Sequence, residues 1–280
     1  MVSKETAAKR TILITGASTG IGRAAAKTLQ ARGWHVFATA RKQEDLDALA
    51  SLGVTPVALE LADAASVAAS ADRVLAESGG RIDALFNNAA YGQAGAIEDV
   101  DRAAMAAQFE VNVIGTHDLT QRIIPAMRAH GAGRIVNCSS VLGLVVGPFR
   151  GAYCATKFAL EALSDAMRVE LKGTGIEVAL IEPGPIETNF VNRTLEVARA
   201  TLPLQTSPHR ARYDAMLQSL ESGGKQTWKL PPDAVVEKLI HAVESARPKT
   251  RYYVTVPTHA AARLKRVLPT SAMDWLAARN

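Results

Sequence analysis

The chain has 280 residues, 48% of them hydrophobic, which is enough to bury one large core as a single α/β domain. Its net charge of +5 is unevenly placed: from Arg247 onward seven Lys/Arg face one acid, Asp274. The body before that tail is near neutral and lacks the basic face that tracks nucleic-acid phosphates. Cys138 and Cys154 give neither a disulfide framework nor metal spacing, residues 1–10 lack the apolar core of a signal peptide, and no uncharged run is long enough to span a bilayer. A cytoplasmic protein with reduced thiols and no metal is expected.

In chain order, TILIT (residues 11–15) predicts a first buried strand that runs directly into TGASTGIG (15–22) and a helix from Arg23. Glycines 16, 20 and 22 permit a tight turn and close approach of backbone N–H groups to a diphosphate, to which the helix N-terminus adds partial positive charge. HVFAT (35–39), VTPVALE (54–60), IDALF (82–86), RIVNC (134–138) and IEVALI (176–181) predict further buried strands, with helical patterns between them. This alternation implies a doubly wound, mostly parallel sheet with helices on both faces and ligands at the carboxyl ends of the strands. Residues 186–230 break the rhythm with Pro203, Pro208, Gly223 and Gly224 and read as an insertion in the same domain. A helix pattern (233–245), a short strand (251–256) and the basic tail (247–280) complete the chain.

Within GAYCATKFALEAL (151–163), a spacing of four puts Tyr153 and Lys157 on one helix face, one turn apart. A free phenol titrates near pH ~10, so it is a weak proton donor at neutral pH; an adjacent ammonium favours the phenolate and draws that value down. TGASTGIG, NNAAYG (87–92), VNVIG (111–115), the serines at 139 and 140, YCATK (153–157) and PGPIET (183–188) together, in this order, resemble the motifs of the short-chain dehydrogenase/reductase family. The resemblance covers nearly the whole chain, with Ala90 where a glycine is usual. RIVNCSSVLG, IEPGPIETNF and RYYVT extend the similarity to the retinol and 17β-hydroxysteroid dehydrogenase-like group, which includes bacterial NADP-dependent aldehyde reductases.

The resemblance implies a single-domain Rossmann fold and a nicotinamide-dependent reduction of an apolar aldehyde or ketone to an alcohol, or the reverse. It implies four catalytic residues: Asn112 holding a water toward Lys157, Ser140 polarising the carbonyl oxygen, Tyr153 delivering the proton, and Lys157 also binding the nicotinamide ribose. Ser139 is the rival to Ser140, which is preferred because it stands 13 residues before Tyr153. Implied cofactor contacts are Gly16, Ser18, Thr19, Gly20, Ile21 and Gly22 in the glycine turn, and Arg41, Lys42, Glu60 and Leu61 toward the adenosine. Asn87 and Ala89 would lie by its ribose and buttress the sheet, Asn88 would be a further cofactor contact, and Pro183, Gly184, Ile186 and Thr188 would lie at the nicotinamide.

Ala40 ends the second strand where an NAD-selecting unit usually has Asp or Glu. Arg41 and Lys42 follow, placed for a 2′-phosphate, so NADP(H) is the expected cofactor. Phe190, Val191, Leu195, Val197, Leu202, Leu204, Tyr213, Met216, Leu217 and Trp228 predict that the insertion forms an apolar substrate lid. Leu264, Val267 and Leu268 beside Arg263, Lys265 and Arg266 leave three roles open for the tail: a lid edge, a weak contact with an anionic membrane surface, or a helix packed on the core. The resemblance further implies a homodimer or homotetramer through helices of residues 105–128 and 155–171. Two other functions fit the fold: a cofactor-sensing regulator without turnover, and a sugar-nucleotide epimerase, although the latter usually has a longer substrate domain.

Overall fold

The computed structural model describes residues 9–223 and 227–279. The reading of residues 1–8 as lacking a signal peptide, and Gly224 of the insertion, lie outside the described residues. Seven strands, β1 (Thr11–Ile14), β2 (His35–Ala40), β3 (Thr55–Ala58), β4 (Ala84–Asn87), β5 (Gly133–Cys138), β6 (Ile176–Glu182) and β7 (Arg251–Tyr253), form one sheet. Its order is β3-β2-β1-β4-β5-β6-β7, and every neighbouring pair is parallel. The chain first winds outward from β1 to β3 and then returns to place β4 on the other side of β1. The crevice beyond the carboxyl ends of β1 and β4 is therefore the topological switch point, where ligands bind in such sheets.

The helices are α1 (Gly20–Ala31), α2 (Gln43–Ala50), α3 (Ala64–Glu77), α4 (Arg102–Phe109), α5 (Thr116–His130), α6 (Gly151–Glu170), α7 (Phe190–Thr201), α8 (Arg210–Glu221), α9 (Asp233–Glu244), α10 (Val256–Val267) and α11 (Thr270–Ala278). Successive strand residues point to opposite faces, so Ile12 and Ile14 pack with Ala25, Leu29 and Leu49 of α1 and α2 and with Val235 and Leu239 of α9. Leu13 faces the other way, onto Val67 and Val74 of α3 and Leu119 and Ile123 of α5. Covering both faces is what makes these strands continuous apolar runs in the sequence.

The chain leaves β6 through PGPIET into α7 and α8. Ile186 and Leu230 then pair by backbone, so both ends of this excursion rise from one point above the sheet. Leu202 and Tyr213 close a small separate core with Ala94 and Ala198. The start of the basic tail enters the sheet as β7, and its Arg251 is held by Glu161, Asp165 and Glu182. Pro269 separates α10 from α11. No described helix is long and apolar enough to cross a membrane.

Candidate active site

The β1–α1 turn fits against β4 so closely that side chains are excluded. A Cβ on Gly16 (φ +65°) would stand 2.8 Å from the Ala89 Cα, and one on Gly22 would stand 2.3 Å from the Gly16 carbonyl oxygen. Asn88 pins the turn by donating from Nδ2 to the carbonyls of Thr15 and Gly16 at 3.0 and 3.1 Å. The Thr15 hydroxyl accepts from the N–H groups of Asn88 and Ala89 at 2.9 and 3.0 Å. Helix α1 begins with no side-chain cap and no acid in its first turn, so its N-terminal N–H groups are suited to an anion. Bare backbone on both sides of an uncapped helix start fits a dinucleotide diphosphate.

Gly16, Ser18, Thr19, Gly20 and Ile21 line one continuous cavity of about 2350 Å³, larger than a drug-sized site and roomy enough for a dinucleotide plus a second molecule. Arg41, Glu60 and Leu61 line its far end, Asn88 and Ala89 its middle, and Pro183, Gly184, Ile186 and Thr188 the wall beside the catalytic groups. Three expected contacts do not line it. Gly22 packs behind the turn, Asn112 is buried behind the site, and Lys42 turns away to Glu44 at 3.0 Å. Asn87 also lies behind the wall, donating to Thr120 and Asn137 at 2.8 Å in a polar ladder that ties β4 to β5 and α5.

Tyr153 and Lys157, 8% and 3% exposed, project from α6 beneath the cavity. Lys157 Nζ donates to the Cys138 carbonyl at 2.7 Å and lies 5.7 Å from the centre of the Tyr153 ring, against which Phe190 packs at 5.4 Å. Ser140 Oγ accepts from the Leu142 N–H at 3.1 Å, capping a short 3₁₀ turn, Val141–Gly143. Its own O–H lies within hydrogen-bonding reach of the Tyr153 phenol, at the cavity wall. Ser139 Oγ is buried and meets no partner.

Burial pushes the Tyr153 phenol above its ordinary range, while hydrogen bonding to Ser140 and the charge of Arg150 act against that rise. The lowering expected from Lys157 is not the dominant influence. Its ammonium is drawn to the Cys138 carbonyl, and desolvation of the phenol outweighs it; burial also pushes Lys157 itself down.

Asn112 sits in a π-helical segment, Glu110–Gly115, between α4 and α5. Its amide accepts from the Tyr91 N–H at 3.1 Å and donates to the Tyr91 carbonyl at 2.9 Å and to the Thr156 hydroxyl at 3.2 Å. The side chain thus clamps the loop after β4 to the residue preceding Lys157. The expected link to Lys157 through a water would have to share that amide.

The substrate end is also walled by residues the sequence did not single out: Tyr91 and Gln93 after β4, and Val145, Phe149 and Arg150 before α6. The Gly147–Pro148 pair marks this second stretch as a loop. Within it Phe149 adopts φ +56°, which no pattern announces. Among the described residues no group of three or more His, Cys, Asp or Glu side chains could hold a metal ion.

A dinucleotide cradle at the switch point, joined to a serine, tyrosine and lysine at the carboxyl edge of the same sheet, is the construction of an oxidoreductase. The chain belongs to the short chain dehydrogenase family, whose model matches residues 10–198. It is 43% identical over 266 residues to an uncharacterized oxidoreductase, YbbO, of Escherichia coli (strain K12), covering 95% of this chain and 93% of that one. To 17-beta-hydroxysteroid dehydrogenase type 1 of Homo sapiens it is 34% identical over 263 residues, covering 89% and 78%. The crystal structure of a short chain dehydrogenase/reductase from Burkholderia phymatum in complex with NAD superimposes with a TM-score of 0.78 at 27% identity, over 96% of this chain and 95% of that one.

Proposed function

We propose that the protein is an NADP(H)-dependent carbonyl reductase that converts an apolar aldehyde or ketone to an alcohol, or catalyses the reverse. The observation that carries this reading is that one cavity joins the glycine turn and Arg41 at one end to Ser140, Tyr153 and Lys157 at the other. When bound, the nicotinamide cofactor supplies the hydride. The glycine turn and the start of α1 would hold its diphosphate, Arg41 its 2′-phosphate, Lys157 its nicotinamide ribose, and Pro183, Gly184, Ile186 and Thr188 would border the nicotinamide.

Ser140 turns its O–H from the Tyr153 phenol to the substrate carbonyl oxygen and stabilises the negative charge that develops there. Tyr153 gives the proton. Burial keeps the phenol protonated across neutral pH, which suits it to act as the acid in reduction. Phe190, Leu142 and Val145 keep water from these groups and so strengthen their contacts with the substrate. A symmetric assembly in the cytoplasm is part of the same reading. Ile114, Leu163 and Val169 are exposed apolar side chains on or beside the two helices assigned to the interface, and both cysteines are free and buried.

The test is NADPH oxidation with short aldehydes, long aldehydes, retinoids and steroids. Tyr153→Phe should lower kcat by about 10²-fold or more while leaving cofactor affinity nearly unchanged. Lys157→Ala should damage both quantities. Near wild-type kcat in the phenylalanine variant would overturn the assignment, and failure to oxidise cofactor with any carbonyl compound would favour a cofactor-sensing regulator.

A further inference from the structure

Among the described residues, the substrate end of the cavity holds a cation that no carboxylate pairs with. Arg150 stands at the N-terminal boundary of α6, three residues before Tyr153, and lines the cavity with Leu142, Val145 and Phe149. Its Nη1 is buried and meets no acceptor, and among the described residues no carboxylate forms an ion pair with the guanidinium. The acids of the cavity wall are engaged elsewhere or remain apart: Glu60 pairs with Arg41, Glu196 with Arg193, and Glu110 makes no ion pair with Arg150. Lys157, which is buried at the site, is satisfied by the Cys138 carbonyl. Burial pushes the Arg150 guanidinium below its usual range, and the neighbouring Cys154 and Tyr153 offset this only in part.

Holding an uncompensated cation in an apolar wall is unfavourable, and an apolar side chain would fill the same space without that penalty. A planar guanidinium is, however, well shaped to receive an oxyanion through paired, charge-assisted hydrogen bonds. We infer that Arg150 binds an anionic oxygen group, a carboxylate or a phosphate, carried by the substrate, so that the preferred substrate is an apolar carbonyl compound bearing one oxyanion. This rests on the carbonyl-reductase reading and narrows its substrate class.

The experiment compares three substrates of equal chain length: a neutral ketone, the same ketone bearing a carboxylate, and the same ketone bearing a phosphate. The readout is the ratio of kcat/KM for each anionic compound to that for the neutral one, measured with NADPH and with NADH. In the wild type the better anionic substrate should be favoured by ~10- to 100-fold, and which of the two is better identifies the headgroup. Arg150→Met should bring that ratio close to one, and Arg150→Lys should restore part of it. Arg150→Gln replaces the methionine variant if melting or cofactor fluorescence shows that it does not fold.

A wild-type ratio at or below one, or a ratio unmoved by loss of the guanidinium, overturns the inference while leaving the carbonyl-reductase reading intact. A wild-type enzyme that reduces none of the three substrates, nor any of the uncharged carbonyl panel, overturns that reading and the inference with it.

Discussion

Arg41 follows β2 directly and keeps a loose pair with Glu60 at 3.4 Å, with side chains 60% and 41% exposed. A pair so open to water contributes little, so the guanidinium can turn from Glu60 to a 2′-phosphate at small cost. Ala40 places no carboxylate at the strand end to repel one. Glu60 is the residue expected to work against NADPH binding, because it competes for Arg41 and carries a like charge to the 2′-phosphate. The wild type is therefore expected to bind NADPH more tightly than NADH. Ala40→Asp combined with Arg41→Ala should reverse that order, whereas Glu60→Gln should tighten NADPH binding severalfold. Titration of cofactor fluorescence measures all three, and a wild type that already prefers NADH would contradict the argument. Lys42, paired with Glu44 away from the cavity, should tolerate Lys42→Ala with little effect on either cofactor.

Where α6, β6 and β7 meet, three carboxylates converge on one guanidinium. Arg251 donates to Glu161, to Glu182 at 3.0 Å and to both oxygens of Asp165 at 2.8 Å. Glu182 is completely buried, and burial, with Glu161 nearby, pushes its carboxyl up from 4.5 to about 8. The folded state therefore holds this proton more tightly than the unfolded chain does. The stability it confers is fully present below about pH 4.5 and is lost as pH rises toward about 8. The melting temperature should fall across that window, and Glu182→Gln should flatten the slope; a slope unchanged in the variant would place its origin elsewhere. Arg251→Leu should cost about 3–5 kcal/mol, because it leaves the buried Glu161 carboxylate without its counterion and removes a donor from Glu182. The sequence made the strands themselves legible, since a sheet covered on both faces imposes unbroken apolar runs. It overran their ends: residues 54–60 yielded only Thr55–Ala58, an edge strand where Pro56 can be tolerated. Tyr153 and Lys157 were legible because a helix fixes their relation locally. The Arg251 cluster was not, because it joins residues 69 to 90 positions apart and no periodicity spans that distance.

Across the whole molecule, the excursion above the sheet is latched rather than merely laid over the site. The Tyr213 hydroxyl donates to Asp99 and accepts from the Ala96 N–H at 3.0 Å, and Ser207 donates to the same Asp99 carboxylate at 2.6 Å. Phe190, Val191, Val197, Met216 and Trp228 reach the cavity, while Leu202 and Tyr213 instead build the small core that supports them. Asp99→Ala should loosen this roof and raise KM for long aldehydes more than for short ones, with kcat for the short ones nearly unchanged. Equal effects on both chain lengths would show the latch to be a general structural brace. The tail adds a wall through Pro257 and Ala261 of α10. Its β7 also has a consequence for how the protein is made. Glu182 and its partner Arg251 are separated by 69 residues, which a ribosome delivers in roughly 3–14 s at ordinary elongation rates. Throughout that interval the outer edge of β6 is open to strands of other nascent chains, and Glu161 and Glu182 wait without their counterion. The excursion is translated in the same interval, so the roof emerges before the last strand that braces its foundation. The newborn chain is exposed to misassembly for a period set by translation speed, and that period closes when Tyr252 pairs with Ile181.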